Sequence, residues 1–189
     1  MLIIRPARPD DLIAITEIYN EAILTTDATF DTEIKSVESQ KEWFDSHNTR
    51  NPIIVAENEN TVIGWASLSK WSDRYAYSGT AEISVYIKDG YRGQGTGRQL
   101  IERIIQAGEK AGLHTIISRI TSGNEESVHL HEKFGFEHIG VMKEVGYKSG
   151  RLLDVVLMQK IYTDKSEQPT RHSRNVSRSF PQRLPVIPA

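Results

Sequence analysis

The chain of 189 residues contains no cysteine. That absence excludes disulfides, thiolate metal ligands and a cysteine nucleophile together. Long hydrophobic runs are also missing. The apolar stretch at the N-terminus, Met1, Leu2, Ile3 and Ile4, is stopped by Arg5. A secretory core needs about 7–15 apolar residues and a membrane helix about 20, so neither is expected and a cytoplasmic location is. Nor does either sign of charge dominate. Lys and Arg number 23 against 25 Asp and Glu, a net charge of −2, which gives no ground for nucleic-acid or membrane partners. No internal repeat is present. A hydrophobic fraction of 38% and a charged fraction of 25% fit one ordinary globular domain.

The charge is unevenly placed. Residues 163–189 carry four of the seven prolines and five basic against two acidic residues, without apolar periodicity. Such a segment cannot bury enough surface to offset its ordering entropy, so it is expected to be a disordered basic tail behind a domain of residues 1–162.

Within the domain the periodicities alternate between strand and helix. Residues 2–5 read as a strand. Pro9, Asp10 and Asp11 open a helix, with the acids suited to the positive end of its dipole. Leu12, Ile15, Ile18 and Ile23 recur at helical spacing. Ser36 caps a second helix bearing Trp43 and Phe44, two expected core residues. Residues 52–56 and 62–68 form a strand pair around a turn at 57–60. In residues 80–87 the alternation is strict: Ala81, Ile83, Val85 and Ile87 share one face, and Glu82, Ser84 and Tyr86 the other. A helix over 98–111, a strand over 115–120, a short helix over 125–134 and two closing strands complete a mixed α/β order with a largely antiparallel sheet.

The strongest chemical signal is Arg92-Gly93-Gln94-Gly95-Thr96-Gly97, between the alternating strand and the third helix. Glycines allow tight turning, and a helix N-terminus adds partial positive charge, so the junction suits a phosphate or pyrophosphate. A glycine-rich turn that holds no ligand is the other reading. A P-loop is excluded because Gly-Lys-Ser/Thr does not occur, and the G-x-G-x-G spacing does not fit a dinucleotide fingerprint.

The loop does match R-x-x-G-x-G. With the Arg5-Pro6-Ala7 start, the Asp10-Asp11 helix opening, Asn124 and Gly135-Phe136, the chain resembles the GNAT acetyltransferase superfamily throughout residues 1–162. The stretch Trp71-Ser72-Asp73-Arg74-Tyr75-Ala76-Tyr77, followed by Glu82, Ser84, Val85 and Tyr86, is similar to its phosphinothricin and methionine sulfoximine N-acetyltransferase branch.

The resemblance implies an α/β (α+β) GNAT fold, a mostly antiparallel central sheet of about seven strands flanked by about four helices. It implies transfer of acetyl from acetyl-CoA, as co-substrate and without a metal, to the amine of a small amino-acid-like molecule, by a homodimer. Glu82 is the candidate general base and His131 the candidate general acid. Val85, Tyr86 and Ile87 are expected to hold the pantetheine arm through their backbone. Arg92, Gly93, Gln94, Gly95, Thr96, Gly97 and Arg98 surround the pyrophosphate, and Asn124 and Lys133 add two further CoA contacts. Arg74, Tyr77, Glu82 and Ser84 form the acceptor side, with the Arg74 fork reading an anionic group and Trp71, Tyr75 and Tyr77 walling the pocket. His129, His131 and His138 lie close in sequence but lack metal-ligand spacing. With no cysteine, the acetyl group passes directly to the amine. A protein N-terminal or lysine acetyltransferase of the same fold, and a CoA-binding module without catalysis, are the alternatives.

Overall fold

The computed structural model describes residues 1–162, so the expected tail lies outside the described residues. Seven strands form one sheet: β1 (Leu2–Pro6), β2 (Ile53–Asn58), β3 (Thr61–Lys70), β4 (Thr80–Ile87), β5 (Thr115–Thr121), β6 (Glu137–Lys148) and β7 (Arg151–Ile161). Four helices accompany them: α1 (Leu12–Thr25), α2 (Val37–Asp45), α3 (Thr96–Lys110) and α4 (Glu125–Lys133). The strand order is β1-β2-β3-β4-β5-β7-β6, antiparallel at every pairing except β4 with β5. This is the mixed, mostly antiparallel sheet expected from the sequence.

Local chemistry explains most boundaries. The Ser36 side chain accepts from the Ser39 N–H at 3.2 Å, capping α2. Glu59 and Asn60, both at positive φ, close the β2–β3 hairpin, and Ser149 and Gly150 close β6–β7 in the same way. The third helix begins at Thr96, two residues earlier than its periodicity predicts, because Gly95 takes the left-handed conformation at its N-cap. Asp11 stands in the first turn as expected, where its carboxylate accepts the Arg8 N–H. It is also buried and clamped by both terminal nitrogens of Arg5, which pairs with Glu57 as well.

The sheet separates two cores. On one face Leu100, Ile101 and Ile104 of α3 meet Ala81 and Ile83 of β4, Leu68 of β3 and Ile116 of β5. On the other, Ile15 and Ile18 of α1 pack on Val55 and Trp65, with Trp43 and Phe44 of α2 against them. The two-residue period of β4 thus puts its apolar side under α3 and its polar side toward α1.

The segment between α1 and α2 is tied to the far hairpin. The buried Lys148 ammonium donates to the carbonyls of Thr26 and Thr29, each at 2.8 Å, and Arg151 pairs with Asp27. Phe30 lies so close to Gly146 that a Cβ there would stand 2.1 Å from the ring. Gly146→Ala should therefore cost about 1–3 kcal/mol through overpacking, seen as a lower urea midpoint at unchanged m-value.

Candidate active site

The ladder between β4 and β5 is short. It joins Thr80, Ala81 and Glu82 to Thr115, Ile116 and Ile117, then stops, although β4 runs on to Ile87 and β5 to Thr121. Beyond Glu82 the strands part. The opening continues into a cavity of ≈ 470 Å³ lined by both strands, α4, the α1–α2 segment and the β6–β7 hairpin. Glu82, Ser84, Val85, Tyr86, Asn124 and His131 all line it.

Glu82 is not alone there. Arg119 of β5 donates from Nε to one carboxylate oxygen at 2.6 Å and from Nη2 to the other at 2.8 Å. The register explains the meeting. Glu82 pairs with Ile117, so Arg119 projects two residues further along the same face of the neighbouring strand. The Trp71 ring lies 5.9 Å from the guanidinium carbon. Sequence reading missed Arg119; its only signal was a single charged residue in an otherwise uncharged strand.

His131 is buried in α4, with its ring edge-on to Phe136 at 4.9 Å. Its Nδ1 lies 2.8 Å from the Ser127 carbonyl. A carbonyl only accepts, so Nδ1 carries the proton and Nε2 is left bare. Burial pushes the imidazole pKa below its ordinary 6.5, against a smaller opposing effect of the Ser127 carbonyl. In this form His131 accepts a proton before it can donate one, which qualifies the expected general-acid role. The other two histidines contact Glu132, His138 at 2.9 Å and His129 at 3.4 Å. Among the described residues no group of three or more potential ligands could hold a metal ion.

The cavity floor is aromatic. Tyr86 lies 4.8 Å from Trp65 with the rings tilted by 36°, and meets Tyr19 edge-on at 5.1 Å. Tyr19 donates to Asp31 at 2.7 Å, and burial pushes its phenol up to about 12. Tyr19, Ser69 and Phe30 also line the cavity.

Other expected residues lie elsewhere. Ile87 and the loop 92–98 follow the cavity at the C-terminal end of β4. Gly93 and Gly95 have positive φ with open space around them. Among the described residues no side chain caps α3, so the first N–H groups of that helix can meet an anion. Arg92 and Arg98 are exposed beside them, and Lys133 is exposed in the last turn of α4. The Thr96 side chain is buried, leaving that residue its backbone N–H to offer a phosphate. The Gln94 side chain is turned back onto the Gly90 carbonyl. Asn124 caps α4 through its side-chain carbonyl, bonded to the Ser127 N–H, which leaves its amide nitrogen available. Arg74 and Tyr77 are exposed around a short 3-10 turn, Tyr75–Tyr77, and do not line the cavity. The arginine that does is Arg119.

Comparison with known proteins agrees with this geometry. The acetyltransferase (GNAT) domain family matches residues 4–157. The L-amino acid N-acyltransferase MnaT of Escherichia coli is 36% identical over 165 residues, 87% of this chain and 96% of that protein. A Pseudomonas aeruginosa L-methionine sulfoximine/L-methionine sulfone acetyltransferase is 39% identical over 82% of this chain and 92% of its own length. Among solved structures, a GNAT superfamily phosphinothricin acetyltransferase from Sinorhizobium meliloti in complex with AcCoA superimposes with a TM-score of 0.83. It is 33% identical and covers 90% of this chain and 94% of its own. The chain belongs to the GNAT acetyltransferase family. It is an acetyl-CoA-dependent N-acetyltransferase.

The protonation of His131 is open to direct measurement. If Nε2 must be bare for turnover, activity is lost as pH falls through its folded pKa, which lies below 6.5. The acid limb of kcat/KM should therefore fall below pH 6.5 and change in His131→Gln. A limb above that value, unchanged by the substitution, contradicts the assignment.

Proposed function

We propose that this enzyme acetylates the α-amine of a free, small amino acid of the methionine sulfone, methionine sulfoximine or phosphinothricin type. The observation that carries this reading is the partly enclosed polar cavity, where Glu82 and Arg119 present opposite charges beside the parted edge of β4. The relatives named for amino-acid and methionine sulfoximine substrates support the same class.

Acetyl-CoA supplies the thioester carbonyl, and its polyphosphate fits the uncapped start of α3 with Arg92, Arg98 and Lys133 around it. The edge of β4 that faces β5 has no ladder partner beyond Glu82 among the described residues, and at Val85 and Tyr86 it offers hydrogen bonds to the pantetheine arm. Glu82 takes a proton from the acceptor ammonium, directly or through a water, freeing the nitrogen lone pair. His131, neutral, takes the second proton as the C–N bond forms and passes it to the departing sulfur. One proton then leaves Glu82 for solvent, which balances the reaction. Catalysis is positioning and proton transfer, with no covalent enzyme intermediate.

A cytoplasmic location belongs to this reading, since acetyl-CoA is a metabolite of the cell interior. No helix among the described residues is long and apolar enough to cross a membrane. We also infer a homodimer. Strand β6 is a sheet edge, and Ile139, Val141, Val145 and Tyr147 on it, with Leu152 of β7, are exposed. A second copy of the chain is the occupant that resemblance to this branch implies.

Two measurements test these statements. Free-thiol release from acetyl-CoA with a panel of free amino acids should identify an acceptor, and Glu82→Gln should lower kcat about 100-fold or more with little change in CoA affinity. Turnover of a protein N-terminus with none of the panel overturns the substrate class. Val141→Glu with Leu152→Glu should shift the sedimentation coefficient from dimer to monomer; a wild-type monomer refutes the assembly.

A further inference from the structure

The Glu82–Arg119 pair has a shape that the base assignment alone does not use. Arg119 spends Nε and one edge of Nη2 on the carboxylate, while Nη1 donates to nothing among the described residues. The guanidinium is held in plane by two hydrogen bonds and backed by the Trp71 ring, yet its side chain is 51% exposed against 20% for Glu82. Pairing through Nε and Nη2 leaves the Nη1 edge over for a second anion, and Arg119 lines the cavity alongside Glu82.

We propose that Arg119 is a specificity-determining residue that binds the α-carboxylate of the acceptor. In an α-amino acid the ammonium and the carboxylate sit on one carbon. A ligand whose nitrogen approaches Glu82 therefore has its carboxylate next to the free Nη1 edge. The two charge pairs run antiparallel, ammonium on carboxylate and carboxylate on guanidinium. Each charge left by the ligand's desolvation meets its opposite, and Arg fork geometry favours a planar anion. A simple amine offers Arg119 no acceptor, and an amino-acid amide offers a neutral carbonyl in place of the charged fork partner. Arg74, exposed and outside the cavity, does not present its guanidinium in this position.

The proposal rests on the amino-acid reading above, and its test separates the two. The free α-amino acid that wild-type enzyme turns over best is compared with its own primary carboxamide, as kcat/KM, in wild type, Arg119→Gln and Arg119→Lys. A merely structural arginine that steadies Glu82 would, on removal, slow both acceptors by the same factor. Carboxylate binding predicts instead that Arg119→Gln lowers kcat/KM for the acid about 10–100-fold more than for the amide, mainly through KM. Arg119→Lys keeps a charge beside Glu82, serves where the Gln variant folds poorly, and should retain part of the preference. Equal factors for acid and amide in both variants, with amino acids still accepted, overturn this role and leave the functional reading standing. No turnover of any amino acid by wild type overturns both.

Discussion

The site exists because two neighbouring strands have different loyalties. β4 stays paired with β3 along its whole length to Ile87, whereas β5 is paired with β7 through Thr121. Their shared parallel ladder holds for three residue pairs and then yields. A sheet interior with unpaired N–H and C=O groups is costly unless something supplies hydrogen bonds, so the parted edge calls for a ligand backbone or water. The glycine loop and uncapped α3 stand at the end of β4, and α4 flanks the opening from the other side. A break in one ladder therefore opens a cavity beside β4, with Glu82 on that strand and His131 facing the same space from α4.

That geometry must be held rigidly to be useful, and the holding is polar as well as apolar. The apolar face of β4 is locked under α3 by Leu100, Ile101 and Ile104. Its polar face cannot be packed in the same way, because it must remain open to substrate. The α1–α2 segment roofs it instead, with Lys148 gripping two carbonyls and Phe30 seated on Gly146. Asn20 adds a reciprocal pair of hydrogen bonds with the Lys35 backbone, so the roof is tied at both ends. This segment and the β6–β7 hairpin form a single wall, and changes in either should be felt in the cavity.

How much of this was legible in the sequence depended on range. The alternation of residues 80–87, the Ser36 cap and the Ser149–Gly150 turn are local, and each follows from its own few residues. The side of β4 that carries Glu82 was legible for the same reason. The partner of Glu82 was not, since Arg119 is 37 residues away. It arrives only once the helix α3 has crossed over and the parallel register is set, which no local period encodes. Arg74 illustrates the converse. Its motif position was legible, but a loop residue's place relative to the cavity depends on packing that neighbouring residues do not dictate. Thr96 was placed in a phosphate loop by motif, whereas the tight Gly95 turn starts the helix early and buries its side chain.

The charge distribution along β4 gives these pieces a common logic. Arg92, Arg98 and Lys133 lie exposed toward the loop end, where a polyanionic donor would be stabilised by cations that need no desolvation of their own. Inside the cavity the charges are matched instead: Glu82 with Arg119, and a histidine kept neutral by burial. A partly enclosed space with balanced charge disfavours a ligand of large net charge, because nothing there offsets the desolvation. It favours one whose own charges are paired. A zwitterion meets that condition, and an amino acid at neutral pH is a zwitterion. The burial that holds the His131 pKa down bears on the same balance, since an imidazolium in this cavity would add an unmatched positive charge and favour simple anions.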